Sequence, residues 1–221
     1  MLILATSKIQ SNYQTTIPKE IRKNYDIDNT TVVEWAINDK GNPEINFRKK
    51  RNFKNLSGAF KTDEKTNALE LKRSLYMRKV FLDTSFIIAY INSNDELYEN
   101  ALKLEEAENI LSQDCYINNN VLNEVLTLTG RKINIEAAEE IYYGLIDNFE
   151  ILNEYSIFNY TAKTFDIFKK TIGANSKKTK LSFTDSSIIL TMKESNISDL
   201  ISFNQQFKNF NEINWIGSDY L

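Results

Sequence analysis

Apolar and polar positions follow three different patterns along the chain. Within residues 1–50 they alternate. Thr31-Val32-Val33-Glu34-Trp35-Ala36-Ile37 and Glu44-Ile45-Asn46-Phe47 read as strands joined by the turn cluster Asn38-Asp39-Lys40-Gly41-Asn42-Pro43, a hairpin pattern. Upstream, Thr16-Ile17-Pro18-Lys19-Glu20-Ile21-Arg22-Lys23 reads as a short helix with Pro18 at its first position, where a missing N–H costs nothing. Short strands and one short helix over about 50 residues make a poor core on their own, so such a module is expected to dimerise.

From residue 79 onward, short apolar strands alternate with helical stretches. Lys79-Val80-Phe81-Leu82, Cys115-Tyr116-Ile117, Phe149-Glu150-Ile151-Leu152, Leu200-Ile201-Ser202-Phe203 and Ile213-Asn214-Trp215-Ile216 read as strands. Helical spacing runs through residues 86–91, 95–111, 119–129, 135–148, 160–172 and 183–195. This alternation predicts an α/β fold with a parallel sheet, in which ligands sit at the carboxyl ends of the strands. The stretch between the two patterns has the basic run Arg48, Lys49, Lys50, Arg51 and Lys54, then period-breaking Asn52, Asn55, Ser57 and Gly58. Asn67 to Arg78 could form an amphipathic helix. The expected division is a module at 1–48, a linker and tail at 49–78, and an α/β domain at 79–221.

Charge sharpens this division. The 221 residues carry 27 basic and 30 acidic side chains, a net −3. Residues 1–80 hold 16 basic against 9 acidic, or +7, and residues 81–221 hold 11 against 21, or −10. Different partners are expected for the two parts. There is no histidine and one cysteine, Cys115. Ser-His and Cys-His nucleophiles, His-bearing zinc sites and internal disulfides are thereby excluded. Absence of a secretory segment or a run of 18 apolar residues fits a soluble, cytoplasmic protein with no membrane association. Any acid–base or metal chemistry must rest on carboxylates.

Three carboxylates stand out by position. Asp83 ends the first strand of the α/β part, where it could also cap the following helix. Glu124 lies in Val121-Leu122-Asn123-Glu124-Val125-Leu126, a largely apolar helix on which a carboxylate must be paired, hydrated or metal-bound. The alternative is a partly exposed helix residue. Asp185 falls at a helix start in Ser182-Phe183-Thr184-Asp185-Ser186-Ser187, where a capping role is again the plain alternative. Converging over the sheet, the three could hold Mg²⁺ or Mn²⁺, which take a few carboxylates and share remaining sites with water and substrate phosphate.

Residues 79–217 resemble the PIN-domain ribonucleases, in particular the VapC-like toxins. The resemblance rests on Val80-Phe81-Leu82-Asp83-Thr84-Ser85, Asn123-Glu124-Val125, Phe183-Thr184-Asp185-Ser186-Ser187 and Leu200-Ile201-Ser202-Phe203-Asn204-Gln205-Gln206-Phe207. It implies a parallel-sheet fold flanked by helices, a divalent metal and endoribonuclease activity on an RNA substrate. Asp83, Glu124 and Asp185 would be the catalytic, metal-binding acids, with Thr84 or Ser85 a nearby hydroxyl. The chain departs from the family where a fourth acid is usual. Asn204 stands there and offers only a carbonyl oxygen to a metal. Asp199 cannot replace it, because a strand lies between.

Residues 5–48 resemble the AbrB/MazE-type swapped-hairpin DNA-binding domains. The likeness lies in Ser11-Asn12-Tyr13-Gln14-Thr15-Thr16-Ile17-Pro18-Lys19-Glu20-Ile21-Arg22-Lys23 and Val32-Val33-Glu34. The pattern departs at Asn12-Tyr13, where a Lys-Gly pair is usual. The resemblance implies a small dimeric β-barrel that binds operator DNA, with Lys8, Lys19, Arg22 and Lys23 as the matching candidates. The excess positive charge is consistent with phosphate binding, and equally with a solvated lysine-rich surface.

DNA-binding domains of this kind occur as antitoxins whose tails wrap PIN toxins, and the two halves here stand in that order. The expectation is a fused toxin–antitoxin protein. Residues 50–78 would be the former tail, tethered at roughly millimolar effective concentration. Arg73 and Arg78, and less so Lys72, would compete with metal for the carboxylates, within one chain or across a homodimer. The alternative is a DNA-binding regulator whose catalytically impaired PIN domain serves dimerisation or sensing, a reading Asn204 favours. A plain α/β domain without activity would leave four ordered motifs to chance.

Overall fold

The computed structural model describes residues 4–57, 78–173 and 181–221. The chain divides into two compact units, Met1–Arg51 and Asn52–Leu221. The expected helix within residues 67–78 lies outside the described residues, apart from Arg78.

In the first unit the short helix α1 spans Lys19–Asn24. Pro18 stands just outside it, at the N-cap with extended ψ, rather than at the first helical position. Strands β1 (Thr31–Ile37) and β2 (Pro43–Lys49) pair antiparallel around the expected turn. Their register sets Val33 opposite Phe47, Trp35 opposite Ile45 and Ile37 opposite Pro43. Side chains alternate across a strand, so these three apolar pairs share one hairpin face, with the polar pair Thr31 and Lys49 at its end. Trp35 is nevertheless 72% exposed, and no described residue of this unit is buried. Tyr13, at the departure from the Lys-Gly pattern, has φ 62°, a left-handed conformation that suits glycine better than an L side chain.

The second unit is built on a five-stranded, all-parallel sheet. Its strands are β3 (Lys79–Leu82), β4 (Asp114–Asn118), β5 (Glu150–Leu152), β6 (Asp199–Ile201) and β7 (Asn214–Ile216), in the order β5-β4-β3-β6-β7. Val80, Phe81 and Leu82 are fully buried, as expected of a central parallel strand covered on both faces. Helices α2 (Thr84–Ile91), α3 (Tyr98–Glu108), α4 (Asn119–Lys132), α5 (Ile135–Asn148), α6 (Tyr160–Gly173) and α7 (Phe183–Glu194) flank it. The chain enters at β3, builds outward through β4 and β5, then returns beside β3 as β6. The strand order therefore reverses at the centre of the sheet, which is where parallel sheets open a crevice at their carboxyl edge.

One feature departs from the expected linker. Phe53–Leu56 forms a turn of 3-10 helix, capped by the Asn52 side chain, which accepts from the Lys54 N–H. Phe53 is 1% exposed and sits in the core of the second unit, its ring 4.6 Å from that of Phe149 and 5.9 Å from that of Tyr90. Leu56 covers Gly144, where any side chain would collide with it. The basic run hides this anchor in the sequence. Phe53→Ala should therefore destabilise the second unit by about 3–5 kcal/mol. Denaturant titration followed by Trp215 fluorescence, in a Trp35→Phe background, measures this. A loss under about 1 kcal/mol would mean that the anchor lies outside the core.

Candidate metal-binding cleft at the carboxyl edge of the sheet

Asp83 follows β3 directly and stands at the N-cap of α2, yet its side chain makes no capping hydrogen bond to that helix. The hydroxyls of Ser85 and Ser202 instead both donate to its Oδ2, at 2.6 and 2.7 Å. The two serine oxygens in turn accept backbone N–H groups, Ser85 from Phe203 at 3.0 Å and Ser202 from Asn204 at 2.9 Å. Asp83 thus ties the ends of β3 and β6 together across the point where strand order reverses. Asp83 is buried. Burial raises its carboxyl above the ordinary value, the two hydroxyls oppose that rise, and the charge of Asp185 adds to it. Ser202 is itself fixed by Trp215, whose indole N–H donates to the Ser202 carbonyl at 2.8 Å. Gly217, at φ 124°, lets the chain pass so close that a Cβ there would lie 2.5 Å from that carbonyl oxygen.

Glu124 is placed by the anchoring of α4. Asn118 caps this helix by accepting from the Val121 N–H at 3.0 Å. The buried Glu154 carboxylate accepts the N–H groups of Asn119 and Asn120 at 3.0 and 2.8 Å, an anion where the helix dipole favours one. Val121, Val125 and Thr129 point into the core. Asn123, Glu124 and Thr127 face outward. The largely apolar surroundings expected for Glu124 are thus the inner face, and its carboxylate stands on the open one. There its Oε2 accepts the Thr84 hydroxyl at 2.9 Å.

Asp185 does form a capping box with Ser182. Its Oδ2 accepts the Ser182 N–H at 2.7 Å, and the Ser182 hydroxyl accepts the Asp185 N–H at 3.0 Å. Capping and cleft placement therefore coincide in one residue. Its Oδ1 accepts from the Asn204 amide at 3.3 Å, while the Asn204 oxygen accepts the Gln206 N–H at 3.0 Å.

Asp83, Thr84, Ser85, Glu124, Asp185 and Asn204 line a single open cleft of about 350 Å³. Asp95 also lines it and was not singled out by sequence. The polar run Asn92-Ser93-Asn94-Asp95 directly after an apolar helix marked a loop without showing where it folds. Among the described residues no three acidic or thiol side chains close into a metal cage. An open set of carboxylate and carbonyl oxygens still fits Mg²⁺ or Mn²⁺, hard cations that retain waters and borrow substrate oxygens. It does not fit a softer metal, since Cys115 is buried, donates to the Ile110 carbonyl and has its thiol pushed up to about 12.

Other sequence candidates lie elsewhere. Arg78 precedes β3 and pairs with Glu108 at 2.5 Å and Asp199 at 3.5 Å. That is the opposite edge of the sheet from Asp83, about 16 Å away across the four-residue strand between them. It is not at the cleft. Asp199 begins β6 at this same far edge. Arg73 and Lys72 lie outside the described residues. Lys8, Lys19, Arg22 and Lys23 are exposed on the first unit, and Arg22 Nε donates to the Ile17 carbonyl at 3.1 Å.

The PIN domain family model matches residues 80–213, more than half of the chain, and the chain belongs to that family. Its structure is similar to Mycobacterium tuberculosis VapC20, a sarcin-ricin-loop-cleaving toxin, at 20% identity and a TM-score of 0.47 over 60% of this chain and 95% of that one. It is similar to DNA-bound VapBC from Salmonella typhimurium at 18% identity and 0.46, over 63% and 97% of the two chains. For VapBC2 from Rickettsia felis, bound to a DNA fragment from its promoter, the values are 20%, 0.43, 62% and 96%. No curated protein matches the chain. No helix among the described residues is long and apolar enough to cross a membrane.

The raised carboxyl of Asp83 has a consequence for stability. Its favourable contribution is complete below the ordinary value of 3.8 and is lost as pH rises through the higher folded-state value. Without divalent cation at pH 7, Asp83→Asn should therefore melt at a higher temperature than the wild type, and the gap should close towards pH 4. Added Mn²⁺ should raise the melting temperature of the wild type but not of the variant. Differential scanning calorimetry with chelator and with Mn²⁺ tests both. Equal Mn²⁺ stabilisation of the two proteins would place the ion elsewhere.

Proposed function

We propose that the chain is a divalent-metal-dependent endoribonuclease fused to an AbrB-type, DNA-binding antitoxin module, self-inhibited and autoregulatory. The carrying observation is the convergence of Asp83, Glu124, Asp185 and Asn204 on one cleft at the carboxyl edge of the PIN sheet. When bound, Mg²⁺ or Mn²⁺ supplies an activated water and offsets charge on the phosphodiester. Asp83, Glu124 and Asp185 hold the ion as oxygen donors, and Asn204 has a second carbonyl lone pair to add. Ser85 and Ser202 keep the Asp83 carboxylate oriented, and Thr84 does the same for Glu124. No step needs histidine, which the chain lacks.

Inhibition is assigned to the tail, residues 50–78, with Arg73 and more weakly Lys72 as candidate cations beside Arg78, which pairs with Glu108 and Asp199 at the far edge of the sheet. The anchor at Phe53 means that cutting away everything up to residue 76 would damage the core, so the test keeps the full chain. The Arg73→Ala protein should cut single-stranded RNA with Mn²⁺ faster than the wild type. Chelator or Asp83→Asn should abolish the cleavage, as read on denaturing gels. Absence of Mn²⁺-dependent cleavage from both the wild type and Arg73→Ala would end the enzyme reading.

The second reading, a DNA-binding regulator with an impaired PIN domain, is favoured by Asn204. Its amide donates to the oxygen of Asp185 that a metal would use, and its own oxygen is engaged by Gln206. Asn204→Asp should tighten Mn²⁺ binding by calorimetry and raise cleavage. If cleavage appears only in that variant, the second reading is the correct one.

The first unit supports a homodimer and the partner operator DNA. Its apolar hairpin face and α1 border a cavity of about 700 Å³, lined among others by Ile21, Tyr25, Val33, Trp35, Ile45 and Phe47. A unit with no buried residue among those described needs a second apolar surface, and a second copy interleaving its hairpin supplies one. Sedimentation should show the wild type as a dimer and Trp35→Glu as a monomer with weakened DNA binding. A monomeric wild type would exclude the swapped-hairpin arrangement.

A further inference from the structure

The cleft does not end at the carboxylates. It shares Glu124 and Leu128 with a cavity of about 460 Å³ that also touches Asn120, Asn123, Thr127 and Thr184. On its other side it shares Ile88, Asp95 and Leu128 with a cavity of about 450 Å³ that reaches Asn92, Asn94 and Lys132. Asn120, Glu124, Leu128 and Lys132 follow one another at intervals of four, as do Asn123 and Thr127; each such step turns about 40°, so they form a band that winds about halfway round α4 from Asn123 to the exposed Lys132 near its end. The three hollows adjoin one another along this band of α4, over about 18 Å at 1.5 Å per residue, with the acids in the middle one.

The band is firm at one end. The Asn120 amide donates to the Tyr160 and Ser187 hydroxyls at 2.8 and 2.9 Å, and its oxygen accepts from the Tyr155 hydroxyl at 3.2 Å. Asn123, Thr127 and Lys132 differ. Each is exposed, and no hydrogen bond or ion pair with a described residue engages its side chain. Lys132 is the one cation among the described residues that line the three hollows, about 12 Å along the helix from Glu124. Asp95 lies between them with its Oδ1 accepting the Leu97 N–H at 3.0 Å, so a polyanion passing that carboxylate gains most from a cation just beyond it.

We infer that α4 is the track for a single-stranded RNA, with Asn123 and Thr127 contacting sugar 2′-hydroxyls on one side of the acids and Lys132 binding a non-scissile phosphate on the other. This rests on the nuclease reading for the role of the acids. Short amide and hydroxyl groups with no aromatic platform suit 2′-hydroxyl contacts rather than base stacking. A lone lysine suits a single phosphate. Lys132, Asn123 and Thr127 contact the RNA away from the scissile bond, since none lines the central cleft itself.

Binding tests this separately from cleavage. A labelled single-stranded RNA and the DNA of the same sequence are titrated, without divalent cation, into full-length Asp83→Asn protein with and without Arg73→Ala. Adding Lys132→Gln should weaken RNA binding about 5-fold at 0.1 M salt and reduce the slope of log K against log salt by about 0.7, the value for one single-strand phosphate. Arg131→Gln, on the same turn of α4 but outside the hollows, should do neither. Asn123→Ala with Thr127→Val should weaken RNA binding but leave DNA binding unchanged. Equal effects of Lys132→Gln and Arg131→Gln, equal losses for RNA and DNA in the double variant, or no RNA binding in either background would overturn the track. RNA binding with these signatures but no Mn²⁺-dependent cleavage by Asp83-containing protein would leave the track standing and remove the nuclease reading.

Discussion

The second unit depends on one arrangement, a buried carboxylate between two parallel strands that are distant in sequence. Asp83 at the end of β3 accepts two hydroxyls, one from α2 and one from the loop after β6. A buried charge is costly unless it is hydrogen-bonded or balanced by a cation. Each serine that supports it is itself held by a backbone N–H of the β6 loop. The same contacts that make the charge tolerable therefore fix the loop carrying Asn204, and with it one wall of the cleft. The two hydroxyls offset the burial and the nearby charge of Asp185 only in part, so the carboxyl stays raised.

The strand order explains why the cleft lies where it does. Entry at the central strand and growth first to one side, then to the other, opens the sheet's carboxyl edge between β3 and its neighbours. Asp83, the β6 loop and the start of α4 all emerge there. Asp185 joins them because a capping box orients its helix at that edge. Arg78, before β3, emerges at the other edge, where it pairs with Glu108 and Asp199.

Much of this was legible in the sequence. Each strand and helix expected after residue 79 has a counterpart, because a buried parallel strand is a short apolar run and the flanking helices have a 3.6-residue period. Asp83 and Asp185 stand out in the sequence by strand-end and helix-start placement, and Glu124 as a carboxylate within an apolar helix; all three line one cleft. What escaped notice has no local period. Phe53 and Leu56 sit in a 3-10 turn inside a basic run, and their partners Tyr90, Gly144 and Phe149 are more than thirty residues away. Ser202 lies next to β6, and nothing local in the sequence shows that its hydroxyl reaches Asp83, 119 residues away. The outward face of Glu124 was hidden because a helix with apolar residues on several sides does not state which side meets the core. In the first unit the alternation of apolar and polar positions predicts the hairpin, which is present as one antiparallel pair.

The central claim is that the carboxylates at the carboxyl edge of the sheet hold a divalent cation for work on RNA. Anomalous scattering from crystals of the full-length protein grown with Mn²⁺ tests it most directly. The account predicts a manganese peak within coordination distance of Asp83 and at least one of Glu124 and Asp185, lost in crystals of Asp83→Asn. Manganese bound only at other acidic surfaces, with the cleft filled by water at saturating ion, would contradict it.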